Sequence, residues 1–311
     1  MPANNELTLL VDASSLIYRA FFSTPDSIKT PDGRTINGAY GFLNMLSQLI
    51  AGRKPRFLAC ASDEAWRPQW RVDLIDTYKT HRTEDLRAAT TAYADDELAH
   101  QTPIAFQLLT MSGIAVVGTK DFEAEDVIGS LAVKASGKVI IVSGDRDLFQ
   151  LVRDPYITVM YPKRGVSEVI MVDEAYIEKK YGIPGRSYGD FALLRGDPSD
   201  GLPGVPGIGE KTAAGLIAKY GSIERVLEAA IGWEGTGPLG KVRSALDYID
   251  RAAKVVFITC DAPVPQTSLE MPEDSPPDEA FALAEEHGLS TPFQRVTEAI
   301  KQAAGRATAQ K

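Results

Sequence analysis

The sequence predicts an α/β fold in which a mainly parallel sheet is flanked by helices. Leu7-Thr-Leu-Leu-Val-Asp-Ala13, Arg56-Phe-Leu-Ala-Cys-Ala-Ser-Asp63 and Lys138-Val-Ile-Ile-Val-Ser-Gly-Asp-Arg-Asp147 are short apolar runs, each with an acid at its end. Such uninterrupted runs mark strands buried on both faces. Between the first two, Asn37 to Ile50 carries apolar residues at helical spacing and closes on Ala51-Gly52, a helix stop. Parallel strands need crossovers of this kind, so the terminal acids fall on one edge of one sheet. Ligands of open α/β sheets gather outside the carboxyl ends of the strands, which makes that edge the expected site.

The 311 residues suit one large or two modest domains, and 44% hydrophobic with 24% charged residues is ordinary for a globular protein. The two cysteines, Cys60 and Cys260, have no paired spacing, so neither a disulfide framework nor a zinc site is suggested. Cys60, within the run Phe57 to Ala61, reads as a small core residue. The N-terminus lacks a basic segment followed by an apolar one, and no later stretch approaches a membrane span, so a cytoplasmic protein with no membrane partner is expected. A net charge of −9, taken alone, argues against a nucleic-acid partner.

In chain order, the first strand ends at Asp12 and turns at Ser14-Ser15. From Arg67 to His100 the apolar periodicity weakens, and Arg67, Arg71, Lys79, His81, Arg82 and Arg87 alternate with Trp66, Trp70, Tyr78 and Tyr93. This suits a surface that touches a polyanion and its bases, or a solvated helix face with a few covered aromatics. Thr102 to Met111 predicts an amphipathic helix with Pro103 in its first turn, and Ile114 to Val117 a strand. Asp121 to Ala132 opens a helix with Glu123, Glu125 and Asp126, the first and last on one face. The helix dipole accounts for one or two of these acids. Three side by side repel, and a divalent cation removes the penalty.

Asp145 and Asp147 follow the central strand, and the pair also reads as a cap for a helix over Asp147 to Val152. Thr158 to Tyr161 and Glu168 to Val172 predict a hairpin-like pair of strands, and Asp173 to Tyr181 a helix. Leu193 to Asp200 then adds Asp197 and Asp200 in a turn rich in Gly and Pro. The segment from Gly204 through Gly207-Ile-Gly209-Glu-Lys211-Thr212 is a tight hairpin whose backbone amides, and the helix N-terminus after it, suit phosphate. It is not a nucleotide-binding phosphate loop, because the glycine spacing differs and no strand precedes it. A helix-hairpin-helix that grips a nucleic-acid backbone fits. Past Ser222 the pattern is mainly helical, Asp261 to Pro277 predicts an extended connection, Ala280 to Ala303 one or two last helices, and Gly305 to Lys311 a loose tail.

The acids collected this way are Asp12, Asp63, Glu123, Glu125, Asp126, Asp145, Asp147, Asp197 and Asp200, together as many as the whole net charge of −9. Carboxylates without histidine or cysteine select hard cations, Mg²⁺ or Mn²⁺ rather than Zn²⁺. Two such ions about 4 Å apart activate a water and stabilise the leaving oxygen of a phosphodiester. The acidic composition then describes a catalytic centre and leaves room for a basic groove elsewhere.

The order of these motifs resembles the 5′ nuclease (flap endonuclease) family, and most closely its bacterial 5′-3′ exonuclease domain, known at the N-terminus of DNA polymerase I and as free-standing proteins. The resemblance covers about residues 7 to 261. It rests on Val11-Asp12, Tyr78-Lys79-x-x-Arg82, Phe122-Glu-Ala-Glu-Asp126, Ser143-Gly-Asp-Arg-Asp147, and Gly196-Asp-Pro-Ser-Asp200 with Pro203 to Ala213. It implies a PIN-like nuclease core over residues 1–182 with a helical arch at about 78–102, a helix-hairpin-helix region over 183–261, and C-terminal helices over 262–311 packed on the core. It also implies cleavage of 5′ flaps, nicks or 5′ ends of DNA in replication and repair, by a monomer, with a DNA polymerase and a ligase as partners.

Carried over by residue, Asp12, Asp63, Glu123, Glu125, Asp126 and Asp145 resemble the tighter metal site, and Asp147, Asp197 and Asp200 the second. Lys79 and Arg82 resemble the pair that polarises the scissile phosphate, Tyr78 a platform for the terminal base, and Arg71 a phosphate contact. The hairpin Gly204 to Thr212 would hold the duplex, with K⁺ on the carbonyls of Val205 and Ile208. Two departures stand out. Glu125 replaces the usual Asp, which moves its oxygens by about 1.5 Å, and Ser62-Asp63 replaces the usual Phe-Asp. After residue 303 there is no room for a polymerase domain. Two rival readings are a PIN-type ribonuclease and a DNA-binding module without catalysis.

Overall fold

The computed structural model describes residues 6–80 and 89–307. β1 (Leu7–Asp12), β2 (Phe57–Ala61), β3 (Ala115–Val117), β4 (Lys138–Val142), β5 (Ile157–Arg164) and β6 (Glu168–Val172) form one sheet in the order β3-β2-β1-β4-β5-β6. All neighbours are parallel except β5 and β6, which are antiparallel as their sequence predicts.

The apolar runs are continuous because both faces are covered. Leu10 and Ile141 face one core and Leu9 and Val11 the other. On the second side lie α1 (Ala13–Ser23), α2 (Asn37–Arg53) and the C-terminal helices α12 (Asp278–Glu286) and α13 (Ser290–Ala307), with α13 laid along α2. The first side receives α5 (Ala124–Ala132) and the helices from residue 188 onward: α7 (Tyr188–Arg195), α8 (Glu210–Tyr220), α9 (Ile223–Ile231), α10 (Pro238–Ser244) and α11 (Leu246–Val256). Those helices share one core with the sheet, since Val139 and Val159 belong to the same buried cluster as Leu216 and Ile249.

β1 and β4 are adjacent, yet the chain leaves them for opposite halves of the sheet. A crevice opens at such a switch point, beyond the carboxyl ends of the two strands. Val11 pairs with Val142, which sets Asp12 beside Ser143.

Four local expectations are corrected. Pro103 lies inside a single helix, α4 (Ala89–Met111), rather than at the start of one. The carbonyl it leaves without a partner belongs to Ala99, an exposed residue that water can serve. The run after Asp145 is a 3-10 helix, Asp147–Leu151, since Leu148, Phe149 and Leu151 all turn into the core. α5 begins at Ala124, with Glu123 as its N-cap instead of a residue on its face. The third helix, α3 (Gln69–Leu74), occupies only part of the basic and aromatic segment. The remaining helix, α6 (Glu174–Tyr181), is capped by Asp173 as its sequence suggests. Among the described residues no helix is long and apolar enough to cross a membrane.

Candidate active site

Asp12 closes β1 and caps α1. One carboxylate oxygen accepts the Ser15 N–H at 3.0 Å, and the other accepts the Ser143 hydroxyl at 2.5 Å. Ser143 in turn accepts the Asp145 N–H at 2.9 Å, and Asp145 accepts the Asp147 N–H at 2.9 Å. This chain of bonds fixes the loop after β4 against the end of β1. Gly144 brings the loop close to Arg19, whose guanidinium would lie 2.6 Å from a Cβ at this position. Asp63, exposed past the end of β2, accepts the Ala124 N–H at 2.8 Å, while its own N–H is held by Ser14 at 3.0 Å.

The acids face one another with their charges incompletely relieved. Burial first, then Asp63 and more weakly Asp145, push Asp12 up to about 7 against the pull of its hydrogen bonds from Ser143 and Ser15. Burial followed by Asp145, Asp200 and Asp197 pushes Asp147 well above the carboxylate range. Asp147 thus stands between the loop after β4 and the turn after α7, where the 3-10 helix Pro198–Asp200 follows Asp197. That turn is tied to the base of the expected arch. The Lys79 N–H donates to the Asp200 carbonyl at 2.9 Å, and the Thr77 hydroxyl to the Gly201 carbonyl at 2.7 Å. Gly201, at φ 67°, allows this approach, since a Cβ would lie 2.0 Å from the Thr77 carbonyl.

Glu123, Glu125 and Asp126 surround Arg71, which is fully buried. Its guanidinium lies 3.0 Å from Glu123, 3.1 Å from Glu125 and 2.8 Å from Asp126. Burial alone would lower its proton affinity, and Glu125, Asp126 and Glu123 more than reverse this. Burial also raises Glu125 and Asp126, with Arg71 opposing it in both. Glu123 and Asp126 form a reciprocal capping box at the start of α5. Asp126 further accepts the Thr259 N–H at 2.9 Å, which joins the segment after α11 to the acid edge.

Arg71, expected to meet phosphate, and Tyr78, expected to offer a stacking face, are both turned inward. Arg71 is 0% and Tyr78 1% exposed, and the Tyr78 hydroxyl donates to Glu123 at 2.7 Å. Lys79 is also buried and pairs with the second oxygen of Glu123. Arg67 donates to the Tyr78 carbonyl at 2.7 Å and Trp70 to that of Asp121 at 2.9 Å, so these two side chains are tied to the protein's own backbone. Arg71, Tyr78 and Lys79 are buried against polar partners at positions that follow no helical period. Arg82 lies outside the described residues. Arg19, unremarked in the sequence, also reaches the edge; its spacing of two helical turns from Asp12 was the available signal.

In the hairpin, Gly204 and Gly207 have φ of 70° and 75°, and Gly209 caps α8. The Gly204 N–H donates to the Tyr248 hydroxyl at 2.9 Å, and the Lys241 ammonium to the Gly207 carbonyl at 2.9 Å. Val205 and Ile208 are buried, and the Val205 carbonyl accepts the Ile208 N–H at 2.9 Å. Lys211 is exposed at the first turn of α8, and Thr212 follows it.

The donor set fits hard divalent cations, since it is all carboxylate and its charges are left unrelieved around Asp12 and Asp147. Among the described residues, no group of three or more acids is disposed to hold an ion as it stands. At Glu123 and Asp126 the oxygens are already taken by Arg71, Lys79, Tyr78 and backbone amides.

Comparison with known proteins agrees with this arrangement. A family model described as the 5′-3′ exonuclease N-terminal resolvase-like domain matches residues 7–182, and one described as the 5′-3′ exonuclease C-terminal SAM fold matches residues 183–279. A 5′-3′ exonuclease of Streptomyces coelicolor is 44% identical over 297 residues, covering 93% of this chain and 98% of that protein. One from Mycobacterium tuberculosis is 40% identical over 311 residues, covering 94% and 97%. DNA polymerase I of M. tuberculosis is 39% identical over 266 residues, covering 83% of this chain and 28% of the polymerase. Among solved structures, the bacteriophage T5 flap endonuclease in a complex with DNA and metal ions aligns with a TM-score of 0.68 at 15% identity, over 96% of this chain and 100% of that one. The catalytic core of Rad2 in complex with DNA substrate aligns with a TM-score of 0.58 at 18% identity, over 96% and 93%. The strand-end acids thus lie in a shared fold, and the chain belongs to the 5′-3′ exonuclease family.

Proposed function

We propose that this protein is a structure-specific 5′ nuclease that hydrolyses DNA at 5′ flaps, nicks and 5′ ends, in replication and repair. The observation that carries the reading is the meeting of Asp12, Asp63, Asp145 and Asp147 at the sheet edge with the Asp197 to Asp200 turn, where burial and mutual crowding push Asp12 and Asp147 above the ordinary carboxylate range. Relatives named as 5′-3′ exonucleases and a neighbour with DNA and metal ions support it.

Asp12, Asp63, Glu125 and Asp145 would hold one Mg²⁺ or Mn²⁺, and Asp147, Asp197 and Asp200 a second, with Glu123 and Asp126 shaping the first site. When bound, such ions lower the pKa of a water and stabilise the leaving oxygen of a phosphodiester. The chain's own residues orient the substrate. We assign contact with the scissile phosphate to Lys79, whose backbone N–H is bonded to the Asp200 carbonyl, and to Arg82. The amides of Gly207 and Gly209, with Lys211 and Thr212 at the start of α8, would grip a duplex backbone without reading sequence. Val205 and Ile208 carbonyls remain candidates for K⁺, since a carbonyl with one hydrogen bond keeps a second lone pair. A monomer acting in the cytoplasm beside a polymerase and a ligase completes the reading.

A 5′-labelled all-DNA flap, a nicked duplex and a single-stranded RNA, each with Mg²⁺ or with EDTA, test it. Mg²⁺-dependent release of short 5′-phosphate products from the DNA flap is expected. Preference for the RNA would favour a PIN-type ribonuclease, and EDTA-insensitive binding without turnover a DNA-binding module.

A further inference from the structure

Lys79 occupies a place that contact with a phosphate does not explain. Its ammonium is turned inward, pairs with one oxygen of Glu123 and donates to the Trp66 carbonyl at 3.3 Å. The backbone that aims it there is held at φ 50°, a left-handed conformation costly for any residue but glycine. The other oxygen of Glu123 receives the Tyr78 hydroxyl at 2.7 Å and Arg71 at 3.0 Å. Two cations are therefore set against Glu123, Glu125 and Asp126. They differ in mobility: the Arg71 guanidinium is ion-paired with all three acids and hydrogen-bonded to Asp126, whereas Lys79 is a point charge on a flexible four-carbon stem.

We propose that Lys79 is a displaceable counter-ion. In the metal-free protein its ammonium neutralises Glu123, and uptake of a divalent cation at the acid edge expels it, so that Lys79 faces outward to a phosphate only in the loaded enzyme. The inference rests on the metal-dependent nuclease reading. A dication and an ammonium repel each other in a space of low polarity, and the ammonium is the one whose stem lets it leave. No bond is made or broken and no proton moves, because the lysine remains charged throughout. Since coupling is reciprocal, whatever the metal does to Lys79, Lys79 does to the metal.

The test uses the DNA-free protein. Calorimetric titration with Mg²⁺ is expected to show Lys79→Gln binding the ion about tenfold more tightly than the wild type, a coupling within the usual range. In the wild type, acetylation of the Lys79 amine by acetic anhydride, read by peptide mass spectrometry, is expected to rise several-fold at saturating Mg²⁺. Equal Mg²⁺ affinity in the two proteins, or Lys79 labelling unmoved by Mg²⁺, overturns the inference and leaves the nuclease reading intact. A folded wild type that takes up no divalent ion overturns both.

Discussion

Replacing Arg71 with methionine should destabilise the protein strongly at alkaline pH and weakly at acid pH. The guanidinium is fully buried, within 3.1 Å of three carboxylates, and Lys79 can balance only one of them. Removing one partner of a buried ion pair costs about 3–5 kcal/mol, because the other charge is stranded. In a chain of 311 residues that lowers Tm by roughly 5–8 °C. Burial already holds Glu125 and Asp126 above their ordinary values, with Arg71 the main opposing influence. Without Arg71 both rise further, so at pH 5 they take up protons and the penalty falls. Thermal melts of wild type and Arg71→Met at pH 8 and pH 5, in EDTA, measure this. A loss below about 2 °C at pH 8, or an equal loss at both pH values, would refute the clamp. Arg71→Lys, which keeps the charge without the fork, should fall between the two.

Other consequences concern the rest of the edge. Asp12 sits at about 7 in the folded protein against about 3.9 when unfolded. The native state therefore binds more protons between those values, and metal-free stability should fall as pH rises from 4 to 7, by at most about 4 kcal/mol for this group. Mg²⁺ should accordingly raise Tm more at pH 8 than at pH 5; an equal rise would contradict the assignment. Gly201→Ala, at φ 67° and with a Cβ 2.0 Å from the Thr77 carbonyl, should cost at least about 2 kcal/mol in denaturant unfolding and weaken cleavage by moving Lys79. Gly215→Ala, exposed in α8 with nothing within 4 Å, should stabilise by about 0.5–1 kcal/mol in the same experiment.

The sheet was legible because parallel strands leave their mark locally: Leu9 to Val11 and Val139 to Val142 are unbroken apolar runs, as strands covered on both faces demand. Their terminal acids were legible for the same reason, since a strand end fixes where the next carboxylate stands. What escaped the sequence depends on distant residues. Thr259 caps Asp126 across 133 positions, and Gln101 caps the start of α2 by accepting the Gly38 N–H at 2.8 Å. No local pattern carries such pairs. The burial of Arg71 was not legible, because a single buried arginine in an aperiodic segment looks like an exposed one; only the three acids around it show which it is. The same acids read as ligands for a cation, and a cation does lie among them, supplied by the chain itself.

The central claim is that Asp147, crowded by Asp145, Asp197 and Asp200, joins the two halves of a metal-dependent nuclease centre. Single-turnover cleavage of a 5′-labelled DNA flap, at saturating Mg²⁺ and protein, by wild type and Asp147→Asn tests it most directly. The account predicts that the variant melts at or above the wild-type temperature, because a strained charge is gone, and cleaves at least about a thousandfold more slowly. Undiminished Mg²⁺-dependent cleavage by Asp147→Asn would contradict it.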